Sequence, residues 1–132
     1  MELPIFPLNG AVLFPGTSLP LNIFEDRYIE MIDYSLTKNR YIGMIQSDDS
    51  KKLYNIGCVG KIQSFNETAD GRYLISLQGT NCFRVSSELE SNYKFRIIEA
   101  ELIDSINEEN IFSDKQKHDI LKKYKKYVKF KK

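Results

Sequence analysis

All four prolines of this chain fall at positions 4, 7, 15 and 20, inside the opening MELPIFPLNGAVLFPGTSLPLNIF. A proline holds φ near about −65° and supplies no backbone donor, so the stretch is no helix interior, although it is rich in Leu, Ile, Val and Phe. Short edge strands joined by turns are the structure open to it, because an edge position tolerates the missing donor. The sharpest corner is Phe14-Pro15-Gly16, where proline presets one torsion and glycine permits a positive one.

At Leu19, Leu21 and Ile23 apolar residues alternate with Pro20 and Asn22, and from Phe24 onward the period changes to one that suits a helix with acids in its first turn. The spacing predicts a helix from about Glu25 to about Thr37, with Tyr28, Met31, Ile32, Ser35 and Leu36 on its core-facing stripe. Lys38 and Arg40 complement its carboxyl end, and Asn39 is the expected left-handed cap. Strand-like runs follow at Tyr41 to Ile45, Ile56 to Phe65, Arg72 to Leu77, Cys82 to Val85 and Lys94 to Ile103, with a polar loop from Gln46 to Asn55. Asp70-Gly71 marks a hairpin, and Gly79-Thr80-Asn81 predicts a further turn. Short strands at this spacing argue for a closed or partly closed sheet.

Ser113-Asp114-Lys115-Gln116 fits a capping box ahead of a second helix, whose apolar stripe is Ile120, Leu121, Tyr124, Tyr127 and Val128. Residues 1–106 are therefore read as the sheet domain, and 107–132 as a basic amphipathic helix that begins a helical region. The overall charge of +1 hides a division: Met1 to Phe112 holds 10 Lys and Arg against 16 Asp and Glu, a net −6, whereas Ser113 to Lys132 holds nine Lys against two Asp, a net +7. The tail's lysines and interleaved aromatics fit phosphates and bases in principle. A solvated helix face is the better reading, since the tail lacks arginine, its aromatics sit where a packing stripe needs them, and the body is acidic.

Catalytic equipment is sparse. Gly57-Cys58-Val59-Gly60-Lys61-Ile62 resembles a phosphate loop but has the wrong glycine spacing and no Ser or Thr after the lysine, so it reads as close packing or bending in a strand. His118, the single histidine, is read as a solvated helix residue, and Glu25, Asp26 and Glu30 as first-turn acids rather than paired catalytic carboxylates. Cys58 and Cys82 lack Cys-x-x-Cys spacing and are expected to be small buried hydrophobes, with no metal site and no cofactor. The N-terminus has no signal-peptide pattern and no segment is apolar enough to span a bilayer, so the expected location is the cytoplasm.

The stretches LPIFPLNGAVLFPGTSLPLNIFEDRYIEMI, GMI, IGCVGKI and DGRYLISLQGTNCFRV, in this order between Leu3 and Leu102, resemble the N-terminal substrate-binding domain of Lon-type ATP-dependent proteases. The resemblance implies a mainly β, PUA-like pseudo-barrel of about six strands with one helix packed at its side. It also implies a non-enzymatic module that holds client polypeptide: the phosphate-loop ATPase and the Ser-Lys protease of a full Lon protein have no counterpart in the 132 residues. The chain is expected to be a stand-alone protein of this kind or a fragment of a longer one.

A loose polypeptide offers apolar side chains and free backbone groups, which an apolar patch or a strand edge can hold. The expected site is the corner where the sheet hands over to the first helix, with Phe14, Pro15, Phe24, Tyr28 and Met31 lining it and Glu25, Asp26, Arg27 and Glu30 as its charged margin. Packing in the core is the competing reading for Tyr28 and Phe24. The expected partners are unfolded or tagged clients and a separate protease or chaperone, with no membrane. A PUA-like RNA-binding module using the basic tail is the alternative, and self-association through the last helix is a third route.

Overall fold

The computed structural model describes residues 1–8, 12–50 and 52–103. The amphipathic helix expected near the C-terminus lies outside these residues. The elements are β1 (Glu2–Pro7), β2 (Ser18–Ile23), α1 (Asp26–Leu36), β3 (Tyr41–Ser47), β4 (Leu53–Glu67), β5 (Tyr73–Leu89) and β6 (Arg96–Ile103). The sheet runs β2-β5-β4-β3-β1-β6, and an additional β5–β6 pairing closes it into a mainly β pseudo-barrel. All pairings are antiparallel except β1 with β3.

Strand β5 makes this closure possible. One of its edges follows β4 from Tyr73 to Arg84. On its other edge the first half, Tyr73 to Gln78, pairs with β2, while the second half, Cys82 to Leu89, pairs with β6. Between the halves the β4 register jumps from Val59↔Asn81 to Gly60↔Gly79, which leaves Thr80 as an extra residue. Gly79-Thr80-Asn81 is therefore a β-bulge inside one long strand and not the turn its composition predicts. A bulge bends and twists a strand, which lets β5 change partners at this point. Gly79 is needed because the Phe14 turn docks on it: a Cβ there would lie 2.0 Å from the Phe14 carbonyl oxygen. Gly16 N–H donates to the Gly79 oxygen at 2.9 Å, and Gly79 N–H to the Thr17 oxygen at 2.8 Å.

Two apolar clusters lie on opposite faces of the central strands. Leu3, Ile5, Ile45, Val59, Phe83 and Ile98 fill the barrel interior. Phe6, Ile42, Met44, Ile62, Tyr73, Ile75 and Leu77 form the other face, under α1. Because β1 and β3 are buried on both faces, their interiors read as continuous apolar runs. The helix contributes buried Tyr28, Met31, Ile32 and Ser35. It begins after Glu25 and ends at Thr37, whose hydroxyl donates to the Tyr34 oxygen at 2.8 Å. The left-handed residue beyond it is Arg40, with φ 67°, rather than Asn39. Asn39 instead uses its side-chain oxygen to accept the Tyr41 N–H at 3.1 Å.

Candidate functional site

The expected corner is divided by the fold. Phe14 and Pro15 open a tight turn in which Thr17 N–H donates to the Phe14 oxygen at 3.1 Å and Gly16 has φ 83°, the type II pattern with Pro and Gly at its centre. This turn sits at the Gln78–Gly79 end of β2, whereas Phe24 and the helix start sit at its Tyr73 end. A strand of six residues separates them, which is roughly 17–20 Å. Phe14 and Pro15 therefore share no patch with Phe24. Met31 lines no patch either: it is fully enclosed in the core between α1 and the sheet, since the helix turns that face onto the sheet. Tyr28 is buried and stacks on Phe6 with centroids 4.2 Å apart. Burial raises its pKa, the nearby Arg27 opposing that effect.

The charged margin stays at the surface. Glu25, Asp26 and Arg27 are exposed, and Glu30 is half-buried with an oxygen 3.4 Å from the Lys94 N–H. Arg27 pairs with Glu25 at 2.9 Å and lays its guanidinium over the Tyr28 ring at 4.7 Å. Arg27 and Tyr28 border a cleft of about 520 Å³ shared with Pro7, Asp49, Lys94 and Arg96. Its walls mix cations with carboxylates. Among the described residues no three His, Cys, Asp or Glu side chains converge to hold a metal.

Of the large apolar side chains expected at the corner, Phe24 is the one most open to solvent. It is 64% exposed, and the Arg72 guanidinium lies 5.8 Å from its ring centroid. Leu74, 42% exposed, pairs across to Asn22 on β2 and Asn66 on β4, so these side chains share the outward face while Tyr73 and Ile75 turn inward. Phe65, 38% exposed, packs edge-on against Tyr73 at 4.8 Å on the inward side of the same hairpin tip. Expectation from sequence passed over Arg72, Leu74 and Phe65. The available signal was Leu74 itself, an apolar residue out of phase with Tyr73, Ile75 and Leu77.

Beside this surface runs an open strand edge. Among the described residues β2 has β5 as its one strand neighbour. The Gly79 N–H bond to Thr17 fixes the alternation of that antiparallel ladder. The main-chain groups of Leu19, Leu21 and Ile23 point into β5, and those of Pro20 and Asn22 point away from it. Pro20 therefore costs the ladder no bond, as an edge proline should.

Comparison with known proteins agrees with this architecture. The ATP-dependent protease La (LON) substrate-binding domain matches residues 2–131. The chain belongs to the Lon substrate-binding domain family. It is 23% identical to the Lon protease of Halothermothrix orenii over 98% of its own length and 18% of that protease. Lon protease 2 of Sorangium cellulosum is 30% identical over 73% of the chain and 13% of the protease. The chain thus spans less than a fifth of the curated relatives' length, and the family domain it matches is the substrate-binding part rather than the catalytic one. The Lon N-terminal domain protein of Xanthomonas campestris superposes with a TM-score of 0.68 at 27% identity, covering 79% of this chain and 60% of that one. The N-terminal domain of the Mycobacterium avium complex Lon protease, at 13% identity and TM-score 0.67, covers 87% and 59% and shares the fold.

Proposed function

We propose that this chain holds extended segments of unfolded or degron-bearing polypeptide at the Phe24 surface, as a non-enzymatic module of protein quality control in the cytoplasm. A protease or chaperone, in the same polypeptide or a separate one, takes the client onward. Membership of the Lon substrate-binding domain family supports the role, and the 64% exposure of Phe24 carries the choice of site. Phe24 and Leu74 offer apolar contact on the outward face, Arg72 offers a cation beside the ring, and the Asn22 edge of β2 offers backbone hydrogen bonds to an extended chain. Glu25 and Asp26, exposed directly after Phe24, are the charged margin of this surface, whereas Arg27 belongs to the cleft and Glu30 lies against Lys94. Pro20 interrupts the row of edge donors, which limits uncontrolled strand addition. Ordering a flexible client costs several kcal/mol against so small a patch, so single segments bind weakly, at micromolar levels or above.

Titration with a permanently unfolded model protein, followed by amide shifts, tests the reading. Shifts are expected at Asn22, Phe24, Arg72 and Leu74. Phe24→Ser should weaken binding roughly 5- to 30-fold, the loss of about 1–2 kcal/mol of apolar contact, while leaving the unfolding midpoint nearly unchanged. Shifts confined to the Phe14 turn or the Arg27 cleft refute the site. Affinity should change little between roughly 50 and 200 mM salt; a steep fall would instead favour the RNA-binding alternative.

A further inference from the structure

Cys58 on β4 and Cys82 on β5 stand directly opposite each other in the ladder, both as free thiols and both buried. Two hydrogen bonds elsewhere in the sheet fix which kind of opposition this is. Ile62 N–H donates to the Arg40 oxygen, so counting by twos along β4 turns the Cys58 main chain toward β3. Ala100 N–H donates to the Met1 oxygen, so counting along β6 and across to β5 turns the Cys82 main chain toward β6. Neither residue spends its backbone groups on the other. Cys58↔Cys82 is therefore a non-hydrogen-bonded cross-strand pair, the closer of the two kinds, with Cα atoms about 4.5 Å apart. That separation lies within the range of about 4.4–6.8 Å that a disulfide spans.

We propose that Cys58 and Cys82 are an oxidative cross-linking site, at which a small disulfide such as glutathione disulfide converts the two thiols into one strand-to-strand bond. In the first step the Cys82 thiol gives its proton to solvent and its sulfur attacks the oxidant, forming a mixed disulfide and releasing one glutathione thiolate. In the second step the Cys58 thiol loses its proton, its sulfur attacks the Cys82 sulfur, and the second glutathione leaves. The protein gives up two electrons and two protons, and one glutathione disulfide becomes two glutathiones. Burial raises both thiols, that of Cys58 to about 12 with the neighbouring Cys82 adding to the effect. The exchange is accordingly slow in the closed sheet and proceeds when β4 and β5 part. The bond would tie the two strands one step from the Gly79-Thr80-Asn81 bulge, opposite Val59 and Gly60, where β5 changes partners.

The test is incubation of the full chain with excess glutathione disulfide, once in buffer and once in urea near the unfolding midpoint followed by refolding. Intact mass is then read without reductant. The expected product is a monomer lighter by two hydrogens, with the Cys58 and Cys82 peptides joined, a native amide spectrum, and a melting temperature raised by roughly 5 °C or more. Cys58→Ser and Cys82→Ser should each yield a single glutathione adduct and no internal bond. A wild-type chain that emerges from the urea arm as a dithiol, a double adduct or a cross-linked dimer overturns the proposal. So does an internal bond that forms only with loss of the native spectrum. Client binding is not among these readouts, so the outcome is independent of the proposed function.

Discussion

Replacing Gly43 with alanine tests the packing of the barrel interior. The added methyl would lie 2.7 Å from Leu3 Cδ2 and 3.0 and 3.1 Å from Phe83 Cζ and Cε1, where carbon atoms prefer about 3.5–4.0 Å. Leu3 and Phe83 are both fully buried, so neither can move into solvent. Overpacking of this kind costs about 1–3 kcal/mol, against about 0.5–1 kcal/mol regained because alanine is less free than glycine in the unfolded chain. The expected net loss is centred a little above about 1 kcal/mol and reaches at most about 2.5 kcal/mol. Phe83→Leu removes the ring end that crowds Gly43 and opens space into which Leu3 can turn. In that background Gly43→Ala should cost nothing measurable, a coupling of about 1 kcal/mol. Gly57 is the control: its added methyl would meet Phe83 too, but its nearest neighbour is the Met44 carbonyl oxygen at 2.5 Å, part of the β3 backbone. Gly57→Ala should stay destabilising by about 2 kcal/mol or more in both backgrounds. Urea unfolding with unchanged m-values measures all five variants. Gly43→Ala within about 0.5 kcal/mol of wild type, or equal costs for it in the two backgrounds, would refute the packing argument.

Two further outcomes follow from polar groups at the helix. The Tyr73 hydroxyl donates to Asp33 at 2.7 Å, and this bond, more than burial, lifts its pKa from 10.0 to about 12. The folded state then holds the proton more tightly than the unfolded state, so the stability it contributes is full below pH 10 and lost as pH rises toward 12. Tyr73→Phe should be less stable by about 1–2 kcal/mol at neutral pH. The gap between its melting temperature and that of wild type should narrow through the same alkaline range, and a pH-independent gap would contradict the assignment. Ser35 is buried in α1 with a hydroxyl that has no hydrogen-bond partner among the described residues. Ser35→Ala removes an unpaired polar atom and improves helix propensity. Urea unfolding should show a gain of about 1 kcal/mol, and a loss would mean that the hydroxyl has a partner.

Local signals were readable wherever a change of period or a turn residue carried them. The helix of Asp26–Leu36 lies within the expected Glu25 to Thr37, and Asp70-Gly71 does join β4 to β5. The misreadings come where one residue type serves two purposes. Gly79-Thr80-Asn81 has the composition of a turn, yet its glycine is there so that the Phe14 carbonyl can approach, a contact made across more than sixty positions of sequence. Asn39 is a better left-handed residue than Arg40, but its side chain already caps the Tyr41 N–H, and the positive φ passes to its neighbour.

The candidate site was less legible for the same reason. Alternation says which residues of a strand share a face, but only register says which strands meet there. Phe14, Phe24 and Met31 are all apolar and close in sequence, and six residues of extended β2 suffice to send the first to the far end of the strand while the helix buries the last. Phe24 is set apart by its place at the handover between two periods. It continues the outward face of β2, where Pro20 and Asn22 point, and precedes the helical stripe that begins at Tyr28. Neither the sheet core nor the helix core can enclose it, so its neighbours are those the β2–β5 register supplies, Arg72 and Leu74. The pairing that makes Cys58 and Cys82 partners is a register fact of the same kind: two residues in separate strands become a unit only when β4 and β5 are laid side by side.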